Sequence, residues 1–202
     1  MKKREPQSVR RERSDKALKD AGAQITVTEG YEAVTFERIG KSSGYSRSLI
    51  TQKYGSKEKF ISSLLEGIAE TGRKEYVACL ETDVSALRKI EIYVSTLFNR
   101  ILHDKQVNAH FMLFADALAN RLERQEFFRN SHQLTRVDLM QIIEQGQKEG
   151  DIDPALVPEV AATIVGSLML GVVMQSLLEP DADLQTITQA AIVAIKRALS
   201  PA

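Results

Sequence analysis

The residues best suited to chemistry in this chain stand close together near its front. They are Arg47, Ser48, Thr51, Gln52 and Lys53, within the stretch SRSLITQKYG. The set offers a guanidinium, an ammonium, an amide and hydroxyls, with no carboxylate among them. It therefore donates hydrogen bonds and carries positive charge, which suits a polyanion or the edges of bases. A polar helix face is also what water alone produces, so the elements holding these residues decide their meaning. Other chemistries lack their parts. There is no glycine-rich phosphate loop and no Cys/His nucleophile pairing, so catalysis is not expected. His103 and His110 are seven residues apart and share a face only if one helix runs unbroken between them. With His132 distant, a single cysteine and no H-x-x-x-H, neither a metal nor another cofactor is expected.

The elements around that stretch read as helices. Apolar residues recur at three- and four-residue spacing, and no run alternates with period two, which predicts an all-α chain. A first helix is expected from about Val9 to Thr28, closed by Gly30. Thr35 reads as the N-cap of a short helix carrying Phe36 and Ile39 that stops before Gly44. Ser46 caps a second short helix, ended by Gly55, and Ser56 caps a longer one with Phe60, Ile61, Leu64, Leu65 and Ile68 on its apolar stripe. Two helices of about two turns joined by a glycine-containing turn are the sequence form of a helix-turn-helix. Neither stands alone at that length, so both must pack on the first helix, through Phe36, Ile39, Leu49 and Ile50. Gly40 lets backbones approach there.

Composition narrows the class. The chain has 202 residues, 43% of them hydrophobic, enough for one substantial core or a core with a small module. One cysteine, Cys79, asks for no oxidising compartment, and MKKREPQSVRRERSDK is too polar for a signal peptide, so the cytosol is expected. The most apolar run, Ile164 to Leu178, falls short of the ~20 residues that span a bilayer, and no membrane partner is expected. The formal charge is zero, yet residues 1–60 carry 14 Lys/Arg against 8 Asp/Glu while the remainder carries 13 against 19. That split is compatible with a front end that meets a polyanion, and equally with a solvated basic tail.

Taken together, EGYEAVTFERIGKSSGYSRSLITQKYGSKEKF, residues 29–60, resembles the DNA-binding domain of the TetR family of bacterial transcriptional regulators. The match is an ordered set: Gly30-Tyr31, Thr35, Ile39-Gly40, the turn Gly44-Tyr45-Ser46, and Ser56-Lys57-Glu58. It departs where the family usually has a glycine, here Ser48, and a phosphate-touching tyrosine, here Thr51. The resemblance implies a helix-turn-helix domain at 1–55 and a ligand-binding and dimerisation domain at 56–202. It implies that double-stranded DNA is contacted by Thr35, Tyr45, Ser46, Arg47, Ser48, Thr51, Gln52, Lys53, Tyr54 and Lys57. Arg47 and Gln52 suit base readout, because Arg matches guanine O6 and N7 and Gln matches adenine N6 and N7. Thr35, Ser46, Lys53, Tyr54 and Lys57 suit phosphates. Arg10, Arg11 and Arg13 form either a flexible arm on the DNA or a solvated tail.

The remainder concentrates aromatic residues. The resemblance implies that Tyr93, Leu97, Phe98, Ile101, His110, Phe111, Phe114 and Asn120 line a pocket for a mostly apolar inducer, although such residues at helical spacing also make ordinary core. The last two helices carry more apolar surface than one subunit covers easily. The family dimerises through them, which implies Ile164, Leu168, Val172, Ile187, Ala191 and Ile195 at a homodimer interface and a palindromic operator. The expected function is a ligand-released repressor. The alternatives are a helical lipid or acyl-chain carrier whose basic N-terminus faces a membrane, and an activator or architectural DNA-binder without a pocket.

Overall fold

The computed structural model describes residues 6–80, 83–120 and 123–201, without the side chains of Cys79 and Leu80. Among the described residues all regular structure is helical. The helices are α1 (Gln7–Glu29), α2 (Phe36–Ser43), α3 (Arg47–Tyr54), α4 (Lys57–Leu80), α5 (Ala86–His103), α6 (Lys105–Asn120), α7 (Gln125–Glu149), α8 (Pro158–Leu178) and α9 (Leu184–Leu199), with a 3₁₀ turn at Tyr31–Ala33.

Local chemistry sets the boundaries. Thr35 Oγ1 accepts from the Arg38 N–H at 3.3 Å, Ser46 Oγ from Leu49 at 3.2 Å and Ser56 Oγ from Lys59 at 3.2 Å, so the three expected N-caps are in place. Gly44 ends α2 with φ of 78°, a left-handed conformation that suits glycine, and its N–H donates to the Gly40 carbonyl at 2.9 Å. Asp104 separates α5 from α6 and accepts from the Gln106 N–H at 2.9 Å. His103 and His110 consequently belong to different helices.

The chain divides into two compact units. The first comprises the described parts of Met1–Ile68 and Asp104–Leu122. Here α1 packs against α2 and α6, and α2 against α3. Leu18, Ile25, Ile39, Ile50, Phe60, Leu64, Val107 and Leu113 are buried in it. Phe60 stands edge-on to Phe36 and Tyr54, at centroid distances of 6.4 and 4.9 Å. The unit includes α6, which a division at residue 55 assigns to the second part. Its Val107, Ala109 and Leu113 are buried there, and at the rim Gln106 Nε2 donates to Asp20 Oδ1 at 2.6 Å and Lys105 donates to Gln24, both across to α1.

The second unit is Ala69–His103 with the described part of Glu123–Ala202. In it α5 packs against α7 and α9, and α8 against α7 and α9. Ile90, Val94, Phe98, Leu139, Ile142, Ile143, Ala162, Val165 and Ile195 form its core. Asp151 Oδ2 accepts the Ala86 N–H at 3.1 Å, placing negative charge at the start of α5, where the helix dipole favours it. The apolar helix α8 spans 21 residues, longer than the 15-residue run in the sequence, and by length and composition it could cross a membrane. In this fold its Ala161, Ala162, Val165, Met169 and Val173 are buried within the unit.

Candidate nucleic-acid interface

The interface is built on the turn between α2 and α3. A Cβ added to Gly40 would lie 2.7 Å from the Tyr45 carbonyl oxygen, closer than atoms can pack, so glycine is what lets the two short helices cross there. Ile50 and Tyr54 turn α3 inward. Arg47, Ser48, Thr51, Gln52 and Lys53 are left exposed. Among the described residues Arg47 and Lys41 engage in no ion pair or side-chain hydrogen bond, so their charge is available to a ligand. Thr35 and Ser46 spend an oxygen lone pair on their caps and retain an O–H to donate. Ser46 and Ser48 share a hydrogen bond at 3.0 Å. Tyr45 is half-buried beside the turn.

Five residues differ from the sequence expectation. Tyr54 is 8% exposed, and its hydroxyl donates to Asp15 Oδ1 at 2.7 Å while its ring packs on Phe60. It is a core residue of the unit and not a phosphate contact. The reason lies in Asp15, 39 residues upstream, which no local pattern pairs with it. Leu49, expected to pack inward, is 38% exposed on α3. Arg10, Arg11 and Arg13 are exposed residues of α1 itself, so they extend a helix and do not form a flexible arm.

Asp15 organises the inner edge of the interface. It accepts from Tyr54 and Lys53 and pairs with Lys19 at 3.1 Å. Burial alone would raise its pKa, but the hydrogen bonds from Lys53, Tyr54 and Lys19 outweigh that and hold it at about 2. The Tyr54 phenol is pushed up, by burial first and by the adjacent carboxylate second. Lys53 is thus tethered to α1. Lys57 has its ammonium 3.7 Å from the Tyr31 ring centroid, with Glu32 also 3.7 Å away.

The residues expected to line a pocket fall in two units. Tyr93, Leu97, Phe98 and Ile101 lie on α5 in the second, and His110, Phe111, Phe114 and Asn120 on α6 in the first. Tyr93 meets Tyr76 edge-on at 4.9 Å and its hydroxyl donates to Thr135 at 3.4 Å. Phe98 and Ile101 are buried, as are His110 and Phe111, whose rings are 5.0 Å apart. Asn120 is exposed, and its amide donates back to the Asp116 carboxylate at 2.7 Å, so it faces solvent and not a cavity wall. The second unit holds a half-open groove of about 280 Å³ between α5 and α9. Phe98 is the expected pocket residue among those lining it, with Asn99, Leu102, His103, Thr188 and Gln189.

The expected interface residues on α8 and α9 also divide. Ile164 is 61% exposed, Leu168 and Ile187 are exposed, and Val172 is partly so. Ala191 and Ile195 are buried, Ile195 to 3%, because that side of α9 packs inside the subunit. The exposed apolar stripe runs from Val157, just ahead of α8, through Val160, Ile164, Leu168 and Leu178 on the helix.

Residues 18–64 match the family model described as bacterial regulatory proteins, tetR family. The chain is 25% identical over 178 residues to the uncharacterised HTH-type transcriptional regulator YwcC of Bacillus subtilis (strain 168), covering 83% of this chain and 78% of that protein. It superposes on the fatty acid degradation regulator FadR of Bacillus halodurans with a TM-score of 0.75 at 18% identity, over 96% of this chain and 97% of that one. With a SmeT–triclosan complex the TM-score is 0.77 at 17% identity, over 93% and 91%. The fold and the helix-turn-helix define a DNA-binding transcriptional regulator. These likenesses support a TetR-family regulator, with the family's own model matched over residues 18–64.

Proposed function

We propose that this regulator is a cytoplasmic, homodimeric repressor released from a palindromic operator by a small, mostly apolar molecule. The observation that carries the DNA-reading part is α3 itself, seated on a glycine-tight turn with Arg47, Ser48, Thr51 and Gln52 turned outward and the Arg47 guanidinium uncommitted. Arg47 and Gln52 read base edges in the major groove, while Thr35, Ser46 and Lys57 hold phosphates. Lys53 contributes from its tether to Asp15. The exposed stripe on α8 with Ile187 on α9 supports a two-fold interface, since contiguous apolar surface is unfavourable in water until a second copy covers it. A dimer of this kind places two copies of α3 on half-sites about 34–36 Å apart.

The response to ligand is assigned to α4. Its first turns pack in the first unit, where Phe60 meets Tyr54. Its last turns pack in the second, where Arg73 pairs with Asp138 and Tyr76 meets Tyr93. An inducer that shifts packing around α5 and α7 biases α4, and through it α3, with a coupling of about 1–3 kcal/mol. The names of the structural neighbours, a fatty acid degradation regulator and a triclosan complex, support an apolar inducer.

The test is selection of bound genomic fragments by the purified protein at two salt concentrations. An enriched palindrome that persists at the higher salt is expected. Uniform binding that vanishes with salt would reduce the interface to an electrostatic surface.

A further inference from the structure

The outward face of α3 is not uniformly polar. Leu49 is 38% exposed there, one turn before Gln52 and next to Ser48, while Ile50 and Tyr54 on the same helix are buried. A scattered exposed leucine needs no explanation on most surfaces. This one stands among the residues assigned to the bases. Ser48 does not cover it, because its hydroxyl is engaged with Ser46 at 3.0 Å. An aliphatic side chain gains nothing from a phosphate or from the donors and acceptors of base edges. The major groove does hold one group that matches it, the C5-methyl of thymine.

We propose that Leu49 is a specificity-determining residue that packs on the C5-methyl of a thymine in each half-site. The proposal rests on the assignment of α3 to the major groove. It adds a requirement that hydrogen-bond readout by Arg47 and Gln52 does not supply: a methyl at one position of the operator, independent of that base pair's donors and acceptors.

The experiment uses the full-length protein and the operator obtained by selection. Deoxyuridine replaces thymidine at each position in turn, symmetrically in both half-sites, and each duplex is titrated with wild type, Leu49→Ala and Leu49→Met. Deoxyuridine keeps every hydrogen-bonding group and removes only the methyl. Wild type is expected to lose about fourfold in affinity per half-site at one position, the worth of one buried methyl. Leu49→Ala is expected to be insensitive at that position, and Leu49→Met, which keeps the apolar reach, to recover the sensitivity. The proposal is overturned if no thymine of the operator is methyl-sensitive with wild type, or if Leu49→Ala keeps the full sensitivity. Because the methyl is deleted from the DNA, the wild-type arm does not depend on how a variant folds. A selected operator with methyl-insensitive thymines removes the role of Leu49 and leaves the DNA reading intact, whereas failure to select any site removes both.

Discussion

Two helices of this protein turn a face to solvent, and they do so with opposite chemistry. The outward side of α3 presents Arg47, Ser48, Thr51 and Gln52, whereas that of α8 presents Val160, Ile164 and Leu168, with Leu178 81% exposed at its end. Water tolerates the first arrangement without any partner, and the polar side chains alone say little. Their meaning comes from the turn that carries them, with Gly40 under the Tyr45 carbonyl and Thr35 and Ser46 capping their helices. Water does not tolerate the second arrangement as readily, so its composition already argues for a covering partner. A polar interface has to be recognised by geometry, and an apolar one by exposure.

That contrast breaks most visibly at α8 and α9, where two isoleucines in one expected interface have different surroundings. Ile195 is 3% exposed, and Ile195→Glu buries a carboxylate in the subunit core. A loss of about 4 kcal/mol or more is expected, seen as a collapse of the thermal transition. Ile164 is 61% exposed, so Ile164→Glu should leave each subunit folded and separate the dimer. Sedimentation decides: a folded Ile164→Glu protein that remains dimeric would move the interface away from this stripe.

At α3 the expected effects are smaller, because single contacts to DNA replace contacts to water. Arg47→Ala should weaken operator binding by about 1–3 kcal/mol and relax the preference at one base pair, leaving the melting temperature unchanged. A gel-shift titration against operators varied at each position reads both. Unchanged affinity and preference would take base readout away from Arg47.

How much of this was legible in the sequence follows from the range of the interactions. Caps are local, so Thr35, Ser46 and Ser56 were readable from a few residues each, and the ordered motif of residues 29–60 carried the family resemblance that the family-model match over residues 18–64 supports. The face on which an apolar residue is buried is a tertiary matter. In α9, Ile187 and Ile195 are two turns apart with similar side chains, and only the packing of α5 and α8 buries one and exposes the other. Leu49 is exposed, and Ile50 beside it buried, for the same reason. Tyr54 reads as a phosphate donor until Asp15 is found beside it. The placement of α6 with α1 is a matter of tertiary packing, in which Val107 and Leu113 are buried and Gln106 and Lys105 reach Asp20 and Gln24, pairs more than 80 residues apart that no periodicity announces.

The smallest expected effect lies in the contact that joins α1 to α3, and it separates the two regions by pH. Asp15 has a folded pKa of about 2 against an ordinary 3.8, so the unfolded chain binds its proton first as the solution is acidified. Its contribution to stability is therefore complete above 3.8 and is lost as pH falls through about 2. Its size is about 1 kcal/mol or less, since 30% of the side chain remains in water and solvent screening discounts the shift. The α8 stripe carries no such group, because its exposed residues are aliphatic. Asp15→Asn should flatten the dependence of stability on pH between 3.8 and 2, while Ile164→Glu should leave that part of the dependence in place. Chemical denaturation at several acidic pH values measures it, and an unchanged slope in Asp15→Asn would mean that Lys53 and Tyr54 are held against α1 by packing, with the carboxylate contributing nothing to the hold.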